Sequence, residues 1–217
     1  MAVYRKITND VQSRKTILNT YTYWDDAFDP EELEKLIDYC GKFELDKGKT
    51  VGMLNKKTNE EQVDIEDPKT DVRRSDIKFL TPDEQNMWIF DRINNVIDLL
   101  NDRYYNMDLY GYDSMQYTEY NSEEKGHYGF HMDSAVGGVN ALGETRKLSM
   151  SMFLSDPDEY KGGKFQFNEG TEKHPLDVPQ KKGRLILFPS FMIHRVTPVT
   201  KGIRKSLVVW VLGPKFR

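Results

Sequence analysis

Two amphipathic helical patterns come first along the chain, and a long run of two-residue alternation follows them. Leu33, Leu36, Ile37 and Cys40 recur at helical spacing, which places them on one face of a helix over Pro30 to Gly41. Its start is marked by Asp29 as cap, Pro30 at the first helical position, and Glu31 and Glu32 near the positive end of the dipole. Trp88, Ile89, Ile93, Val96, Ile97 and Leu100 repeat that spacing through about Arg103, behind a second capped start at Thr81-Pro82-Asp83-Glu84. Trp88 and Phe90 read as packing residues. Thr16 to Trp24 and Arg73 to Leu80 are rich in β-formers and predict strands.

From Asp113 the period becomes two. Ser114 to Tyr120 alternates, and Leu148, Met150, Met152 and Leu154 share a face opposite Ser149, Ser151 and Phe153. Short strands are predicted at Lys164 to Phe167, Arg184 to Phe188, His194 to Pro198 and Lys205 to Leu212, with Gly, Pro and Asp clusters between them. In the last of these, Arg204, Ser206, Val208 and Trp210 alternate with Lys205, Leu207, Val209 and Val211. One face therefore carries a charge, a hydroxyl and an indole, which a filled barrel core would not use. Helices before many short strands predict an α+β, mainly β architecture, a sandwich or barrel buttressed by the N-terminal helices.

Composition narrows this. With 217 residues and no internal repeat, one domain is expected. The formal charge of -4 provides no basic field, so a nucleic-acid partner is not expected. No stretch approaches membrane-spanning length. A lone Cys40 and a charged start without an apolar core predict a soluble intracellular protein, in the host cytoplasm if a phage encodes it. Oligomeric state is not legible. Asp46 to Asp71 is polar and poor in apolar residues, and a mobile hairpin or loop is expected there.

The chemistry lies in the alternating half. His131 and Asp133 stand two residues apart, on one face of an extended segment, and a second imidazole, His194, lies far downstream. Two imidazoles and one carboxylate on one side of a metal leave the opposite positions open, the arrangement of non-heme Fe(II) oxygenases. If 2-oxoglutarate chelates such a metal, its far carboxylate needs a buried counter-charge, and the bidentate, permanently charged Arg204 meets that need. His127 reads as a solvent-facing loop residue and His174 as another; neither is needed by the triad.

These residues, with Tyr128-Gly129-Phe130-His131, Gly162-Gly163-Lys164-Phe165, Gly183 to Ser190 and His194-Arg195-Val196-Thr197-Pro198-Val199, resemble the prolyl 4-hydroxylase branch of the Fe(II)/2-oxoglutarate dioxygenases, in the bacterial and phage style. The likeness covers roughly Gly111 to Pro214. Animal collagen prolyl hydroxylases carry lysine where Arg204 stands, whereas oxygen-sensing and many bacterial and phage relatives carry arginine, so the collagen substrate is not inherited. The resemblance implies a double-stranded β-helix, jelly-roll or cupin-like, with residues 111–217 as the catalytic β core and 1–110 as helical support and candidate lid.

It also implies roles. His131, Asp133 and His194 would bind Fe(II). Arg204 and Ser206 would hold the C5 carboxylate of 2-oxoglutarate, with Tyr120 on the cosubstrate and Tyr117 as its nearby competitor. Tyr128 and Trp210 would stand on the substrate side, and Phe153 where oxygen-sensing relatives have a tyrosine donor. Ascorbate is implied as reductant. The implied reaction hydroxylates an unactivated C–H bond and releases succinate and CO2. Peptidyl proline is the first substrate implied, with a free amino acid or other small molecule as the alternative. The rival from another class is a non-catalytic cupin-like binding module, which would not require Arg204, Ser206 and the metal residues to be intact together.

Overall fold

The computed structural model describes residues 20–48, 72–134, 144–170 and 173–215. In chain order the elements are β1 (Thr22–Trp24), α1 (Pro30–Cys40), β2 (Asp46–Lys47), β3 (Arg73–Arg74), β4 (Asp76–Leu80), α2 (Met87–Leu100), β5 (Gly111–Asn121), β6 (His127–His131) and β7 (Thr145–Phe153). They continue as β8 (Lys161–Gly162), β9 (Phe165–Phe167), β10 (Leu176–Asp177), β11 (Leu185–Pro189), β12 (His194–Val196), β13 (Val199–Lys201) and β14 (Ile203–Gly213).

Two antiparallel sheets face each other. The larger has the order β1-β11-β7-β14-β5-β4-β2 and the smaller β10-β9-β12-β6-β3, while β13 and β8 form a separate ribbon. Strand order departs from sequence order because the chain alternates between sheets, as a double-stranded β-helix does. The eleven-residue β14 sits centrally, paired with β5 on one side and β7 on the other. Its alternation sorts the layers. Leu207, Val209 and Val211 join Met115, Tyr117, Leu148, Met150 and Met152 in the core under the helices. The opposite face looks toward the smaller sheet, where Tyr120, Phe153, Phe165, Phe167 and Phe188 form a second core.

The first helix forms where the pattern predicts. Asp29 accepts from the Glu32 amide at 2.8 Å and Glu32 returns a bond to the Asp29 amide at 3.1 Å, a capping box that satisfies two otherwise unpaired amides. Leu33, Leu36 and Cys40 are buried. Cys40 is enclosed among apolar side chains, and burial pushes its thiol up to about 12, so it acts as a small apolar residue.

Several boundaries differ from expectation. Helix α2 begins at Met87 because Asp83 caps a separate turn: its carboxylate accepts from the amides of Gln85 and Asn86, and the Asn86 side chain is held by the Asp83 amide, Thr81 O and the Tyr39 hydroxyl. At its end the helix continues as a π-helical turn, Asn101–Tyr105, closed by Asn106 in the left-handed region. The stretch from Arg73 to Leu80 is two strands, since the chain turns at the buried Ser75 and passes from the smaller sheet, where Arg73 opposes Tyr128, to the larger, where Asp76 opposes Glu119. Of the expected first strand, only Thr22–Trp24 is strand among the described residues. Of the proposed lid, Asp46 and Lys47 pair with β4, and residues 49–71 lie outside the described residues. No helix among the described residues is long and apolar enough to cross a membrane.

Candidate metal and anion site

β6 and β12 are paired so that His131 directly opposes His194. The backbone turns after His131 and carries Asp133 back between the two rings. The Asp133 oxygens lie 3.5 Å from His131 Nε2 and 3.6 Å from His194 Nε2, and one donor atom from each residue falls within 4.8 Å of the others. The turn is fixed by Ser190, whose carbonyl accepts from the amides of Asp133 and Ser134, each at 3.0 Å.

Both imidazoles are prepared in the same way. Nδ1 of His131 bonds the Gly129 carbonyl and Nδ1 of His194 bonds the Met192 carbonyl, both at 2.8 Å. A carbonyl can only accept, so each Nδ1 carries a proton and each neutral ring keeps its lone pair on Nε2, toward Asp133. Packing fixes the ring planes: Tyr128 stacks on His131 at 3.5 Å, and Phe165 stacks on His194 at 5.4 Å with Phe188 at its edge.

The electrostatics favour a cation. Burial pushes His194 down to about 4, aided by the neighbouring His131 and outweighing the pull of Asp133, so the ring is neutral at pH 7. Burial alone would raise the Asp133 carboxyl, but the adjoining His194 and His131 imidazoles, which attract it whenever they are protonated, and a hydrogen bond from Ser149 hold it well below the usual carboxylate range. Two imidazoles with their Nε2 atoms facing one ionised carboxylate are a donor set for a divalent transition metal such as Fe(II).

The same pocket holds Arg204, Ser206, Tyr120, Tyr128 and Trp210. Arg204 is 1% exposed, and its guanidinium carbon lies 5.4 Å from the ring centres of both Tyr120 and Phe153. Its polar partners are neutral. Nη1 donates to Ser206 Oγ at 3.2 Å and Nε to Gln180 Oε1 at 3.4 Å, while Nη2 has no partner among the described residues. Among the described residues no carboxylate forms an ion pair with it. A buried guanidinium left this way is costly by several kcal/mol unless an anion completes it. Trp210, 8% exposed, also keeps an Nε1 unpaired among the described residues, and Arg146 lies 4.5 Å over its ring.

Tyr117 is corrected by this geometry. It lies on the helix-facing side of β5, 1% exposed, and donates to Glu119 Oε1 at 2.6 Å; Tyr120, three positions on, has the opposite face and lines the pocket. Phe153 stands beside Arg204 without a hydroxyl. His127 bonds Lys125 O and lies outside the metal group, and His174 is exposed. The sequence reading did not single out Ser149, which bonds both Asp133 and Ser190, nor Gln180, nor Arg73 over the Tyr128 ring. Ser149 carried a faint signal, since its alternation already set it on the face opposite the methionines.

Residues 115–212 match the family model of the 2OG-Fe(II) oxygenase superfamily. The PKHD-type hydroxylase YbiX of Escherichia coli O1:K1 is 42% identical over 85 residues, 39% of this chain and 37% of that protein. The chain thus spans little more than a third of the length of the curated relatives it matches. Among solved structures, a viral collagen prolyl hydroxylase from Paramecium Bursaria Chlorella virus-1, in a 2OG complex, superposes with a TM-score of 0.61 at 20% identity, covering 90% of this chain and 97% of that one. A prolyl hydroxylase from Trichoplax adhaerens, in complex with a hypoxia inducible factor oxygen degradation domain peptide fragment, gives 0.65 at 17% identity, covering 89% and 83%. The likeness to 2OG-Fe(II) oxygenases therefore holds in sequence over the β-rich half, and the fold is the double-stranded β-helix shared with these solved prolyl hydroxylases.

Proposed function

We propose that the chain is an Fe(II)- and 2-oxoglutarate-dependent dioxygenase that hydroxylates an unactivated C–H bond, with peptidyl proline as its first substrate class and a free amino acid or other small molecule as the alternative. The observation that carries this is Arg204: a buried guanidinium with an orphaned Nη2 and no acidic partner among the described residues, in the same pocket as a two-histidine, one-carboxylate group. A non-catalytic cupin-like module would have no use for that charge.

In this reading His131, Asp133 and His194 hold Fe(II), which when bound with 2-oxoglutarate supplies the oxidising chemistry, yielding succinate and CO2. The chain supplies orientation and dryness. Arg204 and Ser206 receive the C5 carboxylate of the cosubstrate, and Tyr120 packs along it. Asp133 occupies the position of the single carboxylate ligand, which suits hydroxylation over halogenation. Phe165, Phe188 and Val196 close the wall behind His194 and exclude water from the ligand face. Trp210 and Tyr128 stand at the substrate side, with the unpaired indole N–H available to a substrate carbonyl. Ascorbate is the reductant that would restore oxidised iron.

The test is succinate release from 2-oxoglutarate under Fe(II) and oxygen, screened over proline-containing peptides and free amino acids, with mass spectrometry for a product heavier by one oxygen. Stoichiometric hydroxylation of a peptide supports the first substrate class, of a free amino acid the alternative. No succinate under any condition contradicts the reading.

A further inference from the structure

The guanidinium of Arg204 is aimed by a residue from outside the two sheets. Gln180 lies in the connection between β10 and β11, and its Oε1 accepts from both Arg204 Nε, at 3.4 Å, and the Tyr160 hydroxyl. Its Nε2 donates to Gly163 O at 3.3 Å. This settles which way the amide faces, because arginine can only donate and the glycine carbonyl can only accept. The Tyr160 hydroxyl also lies close enough to Arg204 to favour its charged form.

The surrounding chain holds this arrangement. Gly163 has φ +58°, where a side chain would be strained, and a Cβ there would crowd Arg204 Cδ and Val199 Cγ2 at 3.0 Å and Tyr160 Cε2 at 3.2 Å. The connection carrying Gln180 is clamped to the N-terminal segment by Asp25, which bonds Arg184 at 2.6 and 2.9 Å and Lys181 at 3.2 Å. Arg184 in turn holds Pro179 O at 2.9 Å, so Gln180 is fixed from both sides.

Resting on the function proposed above, we infer that Gln180, backed by Tyr160, is a positioning residue for the cosubstrate: it holds Nε with a neutral acceptor and so turns the rest of the guanidinium, still uncompensated, toward the far carboxylate of a dicarboxylic 2-oxo acid. Neutrality is the essential property. A glutamate fits the same space but would neutralise Arg204 from behind, leaving little attraction for an incoming carboxylate, whereas an apolar side chain would only loosen the aim. Gln180 does not line the pocket, so it acts through Arg204 and touches no reactant.

The experiment uses full-length protein loaded with Mn(II) under anaerobic conditions, so that turnover plays no part, and measures binding of 2-oxoglutarate and of oxalate by calorimetry. Oxalate can chelate the metal but has no far carboxylate. Q180E should weaken 2-oxoglutarate binding by at least about thirtyfold through the negative charge introduced against the buried guanidinium. Q180L should weaken it by about fivefold through the lost hydrogen bond. Both should bind oxalate within about twofold of the parent, since nothing at the metal changes. Thermal unfolding checks that each variant is folded, and if Q180E is not, the 2-oxoglutarate to oxalate contrast of Q180L carries the test. Parent-like 2-oxoglutarate affinity in the folded variants overturns the inference, as does an equal loss for oxalate. Parent protein that binds oxalate but not 2-oxoglutarate instead overturns the cosubstrate assignment itself, and this inference with it.

Discussion

His131 and His194 are directly opposed residues of neighbouring antiparallel strands, and each gives its Nδ1 to the carbonyl two residues before it. The symmetry has a consequence for metal binding, because both Nε2 lone pairs are oriented before any ion arrives. His194→Ala should reduce Fe(II) or Co(II) affinity by at least about a hundredfold, beyond the loss usual for an outer-shell partner. Anaerobic titration measures it, and an unaltered affinity would move the metal elsewhere.

Ser149 makes the same site testable one step out. Its hydroxyl bonds the Asp133 carboxylate and lies 2.9 Å from Ser190 Oγ, so it restrains the carboxylate that the metal would use. Ser149→Ala should lower metal affinity by about ten- to a hundredfold while the far-ultraviolet circular dichroism stays that of the parent. Retained affinity would reduce Ser149 to a packing residue.

How much of this was legible in the sequence depends on whether neighbours in space are neighbours in pattern. The face shared by Arg204, Ser206, Val208 and Trp210 could be read because β14 has helix-facing apolar residues at every other position, and that contrast is written along one strand. The same period separates Tyr120 from Tyr117, but choosing between them requires the register of β5 against β14, where Tyr120 opposes Arg204. Gln180 left no trace, because its partners Tyr160 and Arg204 belong to other segments and a glutamine in a polar connection resembles any other. The break at Ser75 was hidden for a similar reason: sheet-switching changes the strand's partner and leaves its local propensity unchanged. At Asp83 the capping chemistry was read correctly, but the turn it closes is separate from the helix.

The capping box of α1 predicts a modest stability effect far from the site. Asp29→Ala removes the side-chain acceptor for the Glu32 amide and should cost about 1 kcal/mol. For a chain of this size that is a fall of about 2 to 4 °C in Tm. Metal affinity should be that of the parent, and a change in it would couple α1 to the site in a way the packing does not suggest.

Asp25 predicts a pH dependence with a definite sign. The hydrogen bonds from Arg184, more than offsetting burial and joined by Lys181, hold its carboxyl below the ordinary value. Because the folded pKa lies below the unfolded one, the stabilisation is fully present above about pH 4 and is lost as pH falls through the folded value. Asp25→Asn should therefore be less stable than the parent by about 1 kcal/mol in urea at pH 7, with the gap closing in acid. A gap that persists unchanged in strong acid would attribute the effect to packing.

The central claim is that one pocket holds both a metal and the far carboxylate of 2-oxoglutarate, and the most direct measurement is the visible absorption of the Fe(II) protein on anaerobic addition of 2-oxoglutarate. A charge-transfer band should grow and saturate in the parent. In Arg204→Ala it should need at least about tenfold more 2-oxoglutarate, as expected when a buried charge partner is removed. In His194→Ala it should be absent. No band in the parent, or a band of parent-like affinity in Arg204→Ala, would contradict the account.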